Sequence, residues 1–341
     1  MSAITYKCLN CPSNLRMDPE TQDFVCDYCG SHFSLQDFHK RSVSIPAETC
    51  KPMMIATYHC QNCGAEINTD ETTAASFCLY CHGPVILSNQ LSGDHQPDKV
   101  IPFRMPREQV IGAMMRWCKK KRFIDTAFFD QAQVEKISGV YFPFYVASGE
   151  IEGFLNCQGK KVKTWASGHY RYTQTDTYQI EREGKVAFND MTINALNKDH
   201  TYILNGILPY DQHKAVPFSM PYLSGFLADK RAVDENGVLP EITRIANQFT
   251  SAHLKKSAAG FSSVNRTTER ISIKHVDYLY VLMPAWMLTY TYHKEQYYFA
   301  MNGDSGKIAG RVPLSRKKLL TLSIIITIIV FFSMIALGWF L

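Results

Sequence analysis

The sequence lacks the short motifs that carry the commonest enzyme chemistry. No GxxxxGK[ST] loop is present, because the Gly-Lys pairs ending at Lys160, Lys185 and Lys307 lack the upstream glycine and the following hydroxyl. HExxH, GxSxG and GxGxxG are absent as well. These absences argue against a P-loop ATPase, an HExxH protease, an α/β-hydrolase and a Rossmann dinucleotide enzyme. We therefore predict no catalytic residue, no organic cofactor and no enzyme.

A secretory signal is also missing from the start of the chain. The opening MSAITYKCLNCPSN has neither a basic segment nor an apolar run. We therefore expect the amino-terminal part to lie in the cytosol, where thiols stay reduced and disulfide frameworks are rare.

Cysteine, by contrast, is plentiful and regularly spaced. Of eleven cysteines, eight form two C-x2-C-x14-C-x2-C motifs that are related by a shift of 52 residues. The repeated spacing indicates an internal duplication. The eight residues are Cys8, Cys11, Cys26, Cys29, Cys60, Cys63, Cys78 and Cys81.

The paired cysteines predict two metal sites. A two-residue gap lets one tight turn aim two thiolates at one ion, and two such turns complete a tetrahedron. We predict two zinc ribbons with two structural zinc ions, because four thiolates leave no open position for water. A rubredoxin-like iron site and redox-active thiols are the alternatives. Each motif is too short to fold by burial alone, so we expect the metal to supply its folding energy.

Charge is distributed unevenly and bears on the choice of partner. Residues 1–95 carry five basic and ten acidic side chains, a net charge of −5, and each zinc–tetrathiolate centre would add about −2. Nucleic-acid binding needs a basic face, so the charge argues against it. We expect the ribbons to dock protein partners; that they only stabilise the amino-terminal region is the alternative.

A single long apolar run lies at the other end of the sequence. Residues 319–341 contain no charged side chain and, as a helix of about 34 Å, could cross a bilayer. Arg316, Lys317 and Lys318 precede it, and positive residues stay on the cytoplasmic side. We predict a single-pass cell-membrane protein with a cytoplasmic amino terminus, whose three basic residues contact anionic lipid.

The region between the ribbons and the anchor predicts an α+β body with antiparallel strands. Pro106 and Pro240 mark expected helix starts, and a further helix is expected at 219–229. The basic run 119–122 closes the first helix; it either complements the helix dipole or faces lipid or a partner. The four predicted units are ribbon 1 at 1–45, ribbon 2 at 46–95, the body at 97–313 and the transmembrane helix at 319–341.

Strand patterns dominate the rest of the body. Residues 140–147 contain Pro143 and predict an edge or bulged strand. Side-chain polarity alternates along residues 169–181, which predicts a strand. Glu183-Gly184 predicts a turn before another strand. Four strands are expected at 270–276, 278–293, 295–301 and 307–312. The aromatic residues around Pro143 and Pro284 are interpreted as core packing rather than as a ligand site.

Several segments together resemble a known bacterial family. They are the two cysteine motifs and residues 98–103 (DKVIPF), 139–144 (GVYFPF), 217–230 and 299–307 (FAMNGDSGK). With the apolar run, the chain resembles the YdjG-like zinc-ribbon membrane proteins of Gram-positive bacteria, which are sometimes loosely labelled replication-restart-helicase-like. One departure from the family motif is His82, which stands where the motif has glycine; Gly83 follows it.

The resemblance implies a cellular role that the residues alone do not. Such proteins are encoded beside phage-shock protein A and an SPFH-domain protein. The resemblance therefore implies a stress-response adaptor that recruits phage-shock-protein-A-type partners, a co-encoded membrane protein or the SPFH-domain protein to the membrane. A membrane-tethered nucleic-acid-binding regulator is one alternative, and an enzyme or ligand sensor in the body is another.

Overall fold

The computed structural model describes most of the body and the first cysteine motif. The described residues are 5–34, 37, 56–59, 66–69, 73–77, 84–87, 91, 95–121, 123, 137–196, 201–292, 295–313 and 315–338. Within them the fold is mixed α+β, with antiparallel and parallel strand pairs and one apolar helix at the carboxyl end.

Two small sheets belong to the two cysteine motifs. The first sheet has three antiparallel strands in the order β1-β2-β3, and the second is the pair β4-β5. Their bounds are β1 Leu15–Met17, β2 Phe24–Cys26, β3 His32–Phe33, β4 Ala56–His59 and β5 Glu66–Thr69.

A ten-stranded sheet forms the body. Its strands are β6 Thr73–Phe77, β7 Pro84–Ile86, β8 Lys99–Val100, β9 Ser138–Ser167, β10 Tyr170–Asn194, β11 Val216–Pro217, β12 Leu227–Asp229, β13 Ser263–Tyr292, β14 Glu295–Asn302 and β15 Ile308–Gly310. The order is β11-β8-β13-β9-β12-β6-β7, with β10 beside β9 and with β14 and β15 continuing from β13.

The two proline-containing motifs pair with each other at the centre of this sheet. Val140 of β9 lies opposite Ala285 of β13, and Pro143 lies opposite Leu282. The expectation of an edge or bulged strand around Pro143 was therefore wrong, because the described pairings of residues 140–147 with β13 and β10 run without a register shift. On its other side β9 pairs with β12 up to Tyr141 and with β10 from Phe144, so the missing N–H falls where β9 changes neighbours.

Four described helices accompany the sheets. They are α1 Arg107–Lys119, α2 Thr201–Gly206, α3 Glu235–Ser257 and α4 Arg316–Gly338. The predicted helix at 219–229 is wrong: a short 3-10 turn, Met220–Leu223, is followed by β12. Helix α3 begins before Pro240, because Asp234 caps it by accepting a hydrogen bond from the Gly237 amide.

Strands β9, β10 and β13 continue beyond the body as a long ribbon, here called the arm (residues 149–188 and 263–276). The expected turn at Glu183-Gly184 is wrong, because β10 runs unbroken through it opposite β9. Helix α3 packs along one face of the arm, where Gly153 leaves room for Thr250 and Leu254.

The centre of the body is an aromatic core. Phe103 stacks on Phe226 with ring centroids 4.2 Å apart and meets Tyr141 and Trp286 edge-on. All four rings are buried, as the interpretation of the motif aromatics as core residues predicted for Tyr141 and Trp286. Gly303 lies against Phe103 so closely that a Cβ there would sit 2.7 Å from the ring.

The first cysteine motif packs into this core. Leu15, Met17 and Phe24 belong to the same buried cluster as Tyr141 and Trp286. The Ser224 hydroxyl donates to the Leu15 carbonyl at 2.6 Å, and the Met17 amide donates to the Ser224 carbonyl. The first cysteine motif and the body therefore share one hydrophobic core.

Candidate metal centre

Two tight turns place the first four cysteines. Cys8 and Cys11 lie in the turn closed by the bridge between Lys7 and Asn14. Cys26 ends β2, and Gly30, just past Cys29, adopts a φ of +69° that favours glycine. Each turn thus presents two thiols, and the two turns face each other.

The sulfur atoms are spaced as a tetrahedral ion requires. All four Sγ atoms lie within 4.8 Å of one another. Across the two turns, Cys8 and Cys29 are 3.6 Å apart and Cys11 and Cys26 are 3.4 Å apart. Zn–S bonds of about 2.3 Å place tetrahedral sulfurs about 3.8 Å apart, so the residues fit zinc. The cluster draws one CxxC pair from each turn.

Local hydrogen bonds favour thiolate at one position and resist it at another. The Ser31 side chain and backbone lower the pKa of the Cys29 thiol to about 6. For Cys11 the Ser13 backbone hydrogen bond lowers the pKa, but burial and the neighbouring thiols raise it to about 12. Four crowded thiols do not all ionise without a cation, and a bound divalent ion would remove that conflict.

The second predicted site falls outside the described residues: Cys60, Cys63, Cys78 and Cys81 are not among them. Its flanking strands are described. In the sequence, the first CxxC pair falls between β4 and β5 and the second falls between β6 and β7, and each of these two strand pairs is antiparallel. In the first motif, likewise, the bridge between Lys7 and Asn14 flanks one CxxC pair, and the antiparallel strands β2 and β3 flank the other. Strand β6 also pairs with β12, which ties the second motif to the body sheet.

Comparison with known proteins identifies one relative along most of the chain. The Bacillus subtilis (strain 168) protein YdjG, described only as uncharacterized, is 30% identical over 317 residues, 92% of each chain. The chain belongs to the YdjG family. No model in a scan of protein families matches it, and no solved structure matches either. Family membership therefore rests on the similarity to YdjG, and the fold and the cysteine cluster rest on the structure of this chain.

Helix α4 is a second candidate functional element. Its stretch Lys318–Ile335 is long and apolar enough to cross a membrane, and none of it is buried against the body. The predicted 319–341 run thus coincides with a helix in its described part. Thr327 and Ser333 turn their hydroxyls back to helix carbonyls, which satisfies these polar groups without a partner helix.

Sequence reasoning missed an exposed surface at the end of the arm. The arm tip, residues 160–178, carries four basic side chains and one acidic side chain. Trp165 and Tyr172 lie opposite each other and stack at 5.7 Å, and both are about half exposed. Lys161, Lys163 and Tyr170 share their face by strand alternation. In the sequence, basic and aromatic residues recur at alternate positions within the arm tip, and this pattern could have predicted the exposed surface.

Proposed function

We propose that this protein is a membrane-anchored adaptor with structural zinc ribbons. The observation that carries the proposal is α4, an apolar helix with no buried stretch, attached to an independently packed body. A soluble protein would have to expose that surface to water at great cost. The basic residues before α4 favour an orientation with the body in the cytoplasm.

The arm tip is the docking surface in this proposal. Trp and Tyr side chains supply large contact area at low entropic cost and are enriched at protein interfaces. A net charge of +3 at the tip favours an acidic patch on the partner. We propose a phage-shock-protein-A-type subunit as that partner, on the strength of the family resemblance. The metal centres hold the ribbon fold and take no part in a reaction.

Anchoring and orientation are tested on intact and inverted membranes. The full chain should stay in the membrane pellet after carbonate washing. Protease should remove the ribbon from inverted vesicles and leave it intact in sealed protoplasts. Release of the full chain by carbonate, or cleavage of the ribbon in protoplasts, would contradict the anchor or its orientation respectively.

Docking is tested by co-purification of the detergent-solubilised full chain with the phage-shock-protein-A-type protein of the same organism. The double variant Trp165→Ala/Tyr172→Ala should lose most of the captured partner. Tyr202→Ala/Phe249→Ala is the matched control, because these exposed aromatics lie outside the tip. Equal capture by both variants would contradict docking at the tip, and no capture by the unaltered chain would contradict this choice of partner.

The positive charge of the arm tip also supports the alternative of a membrane-tethered nucleic-acid-binding regulator. Aromatic and basic residues on a two-stranded ribbon are typical of single-stranded nucleic-acid contacts. Binding of RNA or DNA oligonucleotides by the full chain, weakening with salt and lost in Lys160→Gln/Lys163→Gln/Arg171→Gln, would favour this alternative over the adaptor.

A further inference from the structure

Two basic segments that are far apart in sequence meet where α4 begins. The amide of Ser315, the residue before α4, donates to the carbonyl of Phe123 at 2.8 Å. Phe123 lies four residues beyond the end of α1. The chain therefore brings the end of α1 to the start of the membrane helix.

Neighbouring contacts hold this junction in place. Trp117, in the last turn of α1, meets Phe299 of β14 edge-on at 5.6 Å. Phe299 is paired in turn with Gly310 of β15, the strand that leads to α4. Ser315 is itself buried, and its hydroxyl lies 3.5 Å from the Lys318 amide at the helix start. The junction is thus built from packed elements rather than from a loose linker.

The junction concentrates positive charge. Lys119, Lys120 and Lys121 are all exposed, and α4 opens with Arg316, Lys317 and Lys318. Among the described residues, no carboxylate forms a salt bridge with Lys119, Lys120 or Lys121, here called the α1 lysines because they lie at the end of α1 and just beyond it. Lys121 instead lies 5.1 Å from the centre of the Trp117 ring. Complementing the dipole of α1 accounts for a lysine in its last turn but not for all six charges.

We propose that these six residues, the basic collar, form a binding site for the phosphate of an anionic phospholipid in the leaflet that α4 enters. The inference rests on the proposed membrane anchor, because α4 sets the depth of the collar at the headgroup layer. Juxtamembrane lysine and arginine are attracted to anionic lipid surfaces, and the amino-terminal amides of α4 favour an anion as well. The α1 lysines would extend the contact that Arg316, Lys317 and Lys318 begin.

The test measures lipid binding to the detergent-solubilised full chain by native mass spectrometry. The chain is titrated with phosphatidylglycerol and, separately, with phosphatidylcholine. We expect phosphatidylglycerol to bind preferentially. Lys119→Gln/Lys120→Gln/Lys121→Gln should weaken its binding by up to about a hundredfold, at about fivefold per charge for three charges. Lys119→Arg/Lys120→Arg/Lys121→Arg should keep the affinity.

The matched control removes the same charge elsewhere. Lys160→Gln/Lys163→Gln/Arg171→Gln at the arm tip should leave phosphatidylglycerol binding unchanged. Equal losses in both triple Gln variants, or no loss in the α1 variant, would overturn the collar. Full competition by inorganic phosphate at matched ionic strength would replace the lipid with a free anion as the ligand.

Carbonate washing separates this inference from the proposed anchor. The α1 variant retains the whole of α4 and should stay in the membrane pellet like the unaltered chain. If the unaltered chain is washed off, the proposed anchor fails. If it stays and the α1 variant still binds phosphatidylglycerol fully, only the collar fails.

Discussion

At the scale of single residues, replacing a cysteine of the cluster is expected to have the largest effect on metal binding. Cys8, Cys11, Cys26 and Cys29 form one cluster whose sulfur spacing suits a single tetrahedral ion. Substituting one ligand leaves three thiols that cannot close the site, and the folding energy supplied by the metal is lost with it.

We predict that the purified full chain contains two zinc ions and that Cys11→Ser contains one. Zinc content by elemental mass spectrometry measures both. Cys118→Ser is the control, since Cys118 is buried in α1 away from the cluster, and it should retain both ions. Iron in place of zinc, or unchanged content in Cys11→Ser, would contradict the prediction.

A second residue-scale prediction concerns a charge pair in the body. The Asp304 side chain is 1% exposed, and its two oxygens accept from Lys214 Nζ at 2.8 and 3.0 Å. Removing one partner of a buried pair leaves an uncompensated charge. We expect Lys214→Ala to lower the free energy of unfolding by about 2–3 kcal/mol. Arg104 Nε lies 3.7 Å from Asp304 Oδ1, so its positive charge should reduce the loss of stability.

Denaturant unfolding of the solubilised chain measures that loss. The double variant Lys214→Met/Asp304→Leu should recover part of it, because no buried charge is left without a partner. A double variant less stable than Lys214→Ala would show that packing rather than charge holds this loop.

The cysteine cluster could be predicted from the sequence, but the ion pair between Lys214 and Asp304 could not. Cysteine spacing is local, since each CxxC turn is complete within a few residues, so the ligand set could be predicted. Lys214 and Asp304 are 90 residues apart and meet only through the folded sheet. No periodicity in the chain predicts such a contact.

At the scale of elements, the arm depends on a close approach between two strands. A Cβ on Gly149 would lie 2.2 Å from the His275 carbonyl oxygen, where β13 has a register shift. Backbone cannot move aside as a flexible side chain can. We therefore predict that Gly149→Ala lowers the free energy of unfolding by about 2–3 kcal/mol.

The same arm offers a matched control for that prediction. Gly184 of β10 has open space where a Cβ would stand, so Gly184→Ala should be close to neutral. Thermal unfolding of both variants in the same detergent compares them. Equal destabilisation would mean that glycine flexibility, rather than space, matters in the arm.

Element predictions succeeded where the signal was local and failed where tertiary pairing overrode it. Helix α1 follows from Pro106 and its apolar spacing, and the structure places it at Arg107–Lys119. Glu183-Gly184 reads as a turn, yet β9 supplies continuous partners on the facing strand, so β10 stays extended. Short 3-10 and strand segments replace the helix expected at 219–229 because β12 pairs on both sides.

At the scale of the whole molecule, the shared core couples the cysteine cluster to the body. Cys8 and Cys26 lie in the same buried cluster as Tyr141 and Trp286. Losing the ribbon would therefore expose body residues to water. The unit boundaries predicted from sequence at 45 and 95 stay predictions, but the described ribbon residues pack as part of the body.

We predict that a strong zinc chelator lowers the thermal midpoint of the body together with the ribbon. Near-ultraviolet circular dichroism of the buried tryptophan and tyrosine residues reports the body, and metal content reports the ribbon. Their transitions should coincide and be restored by added zinc. A body transition unmoved by complete metal removal would show that ribbon and body unfold independently.

The direction of the short strand β15 affects how far the arm tip lies from the start of α4. Strand β15 is antiparallel to β14 and therefore runs away from the arm before the chain enters α4. The nineteen residues from Gly149 to Ser167 extend the opposite way by up to about 60 Å. With α4 in a bilayer, we expect a protein bound at the arm tip to be held several nanometres above the lipid surface.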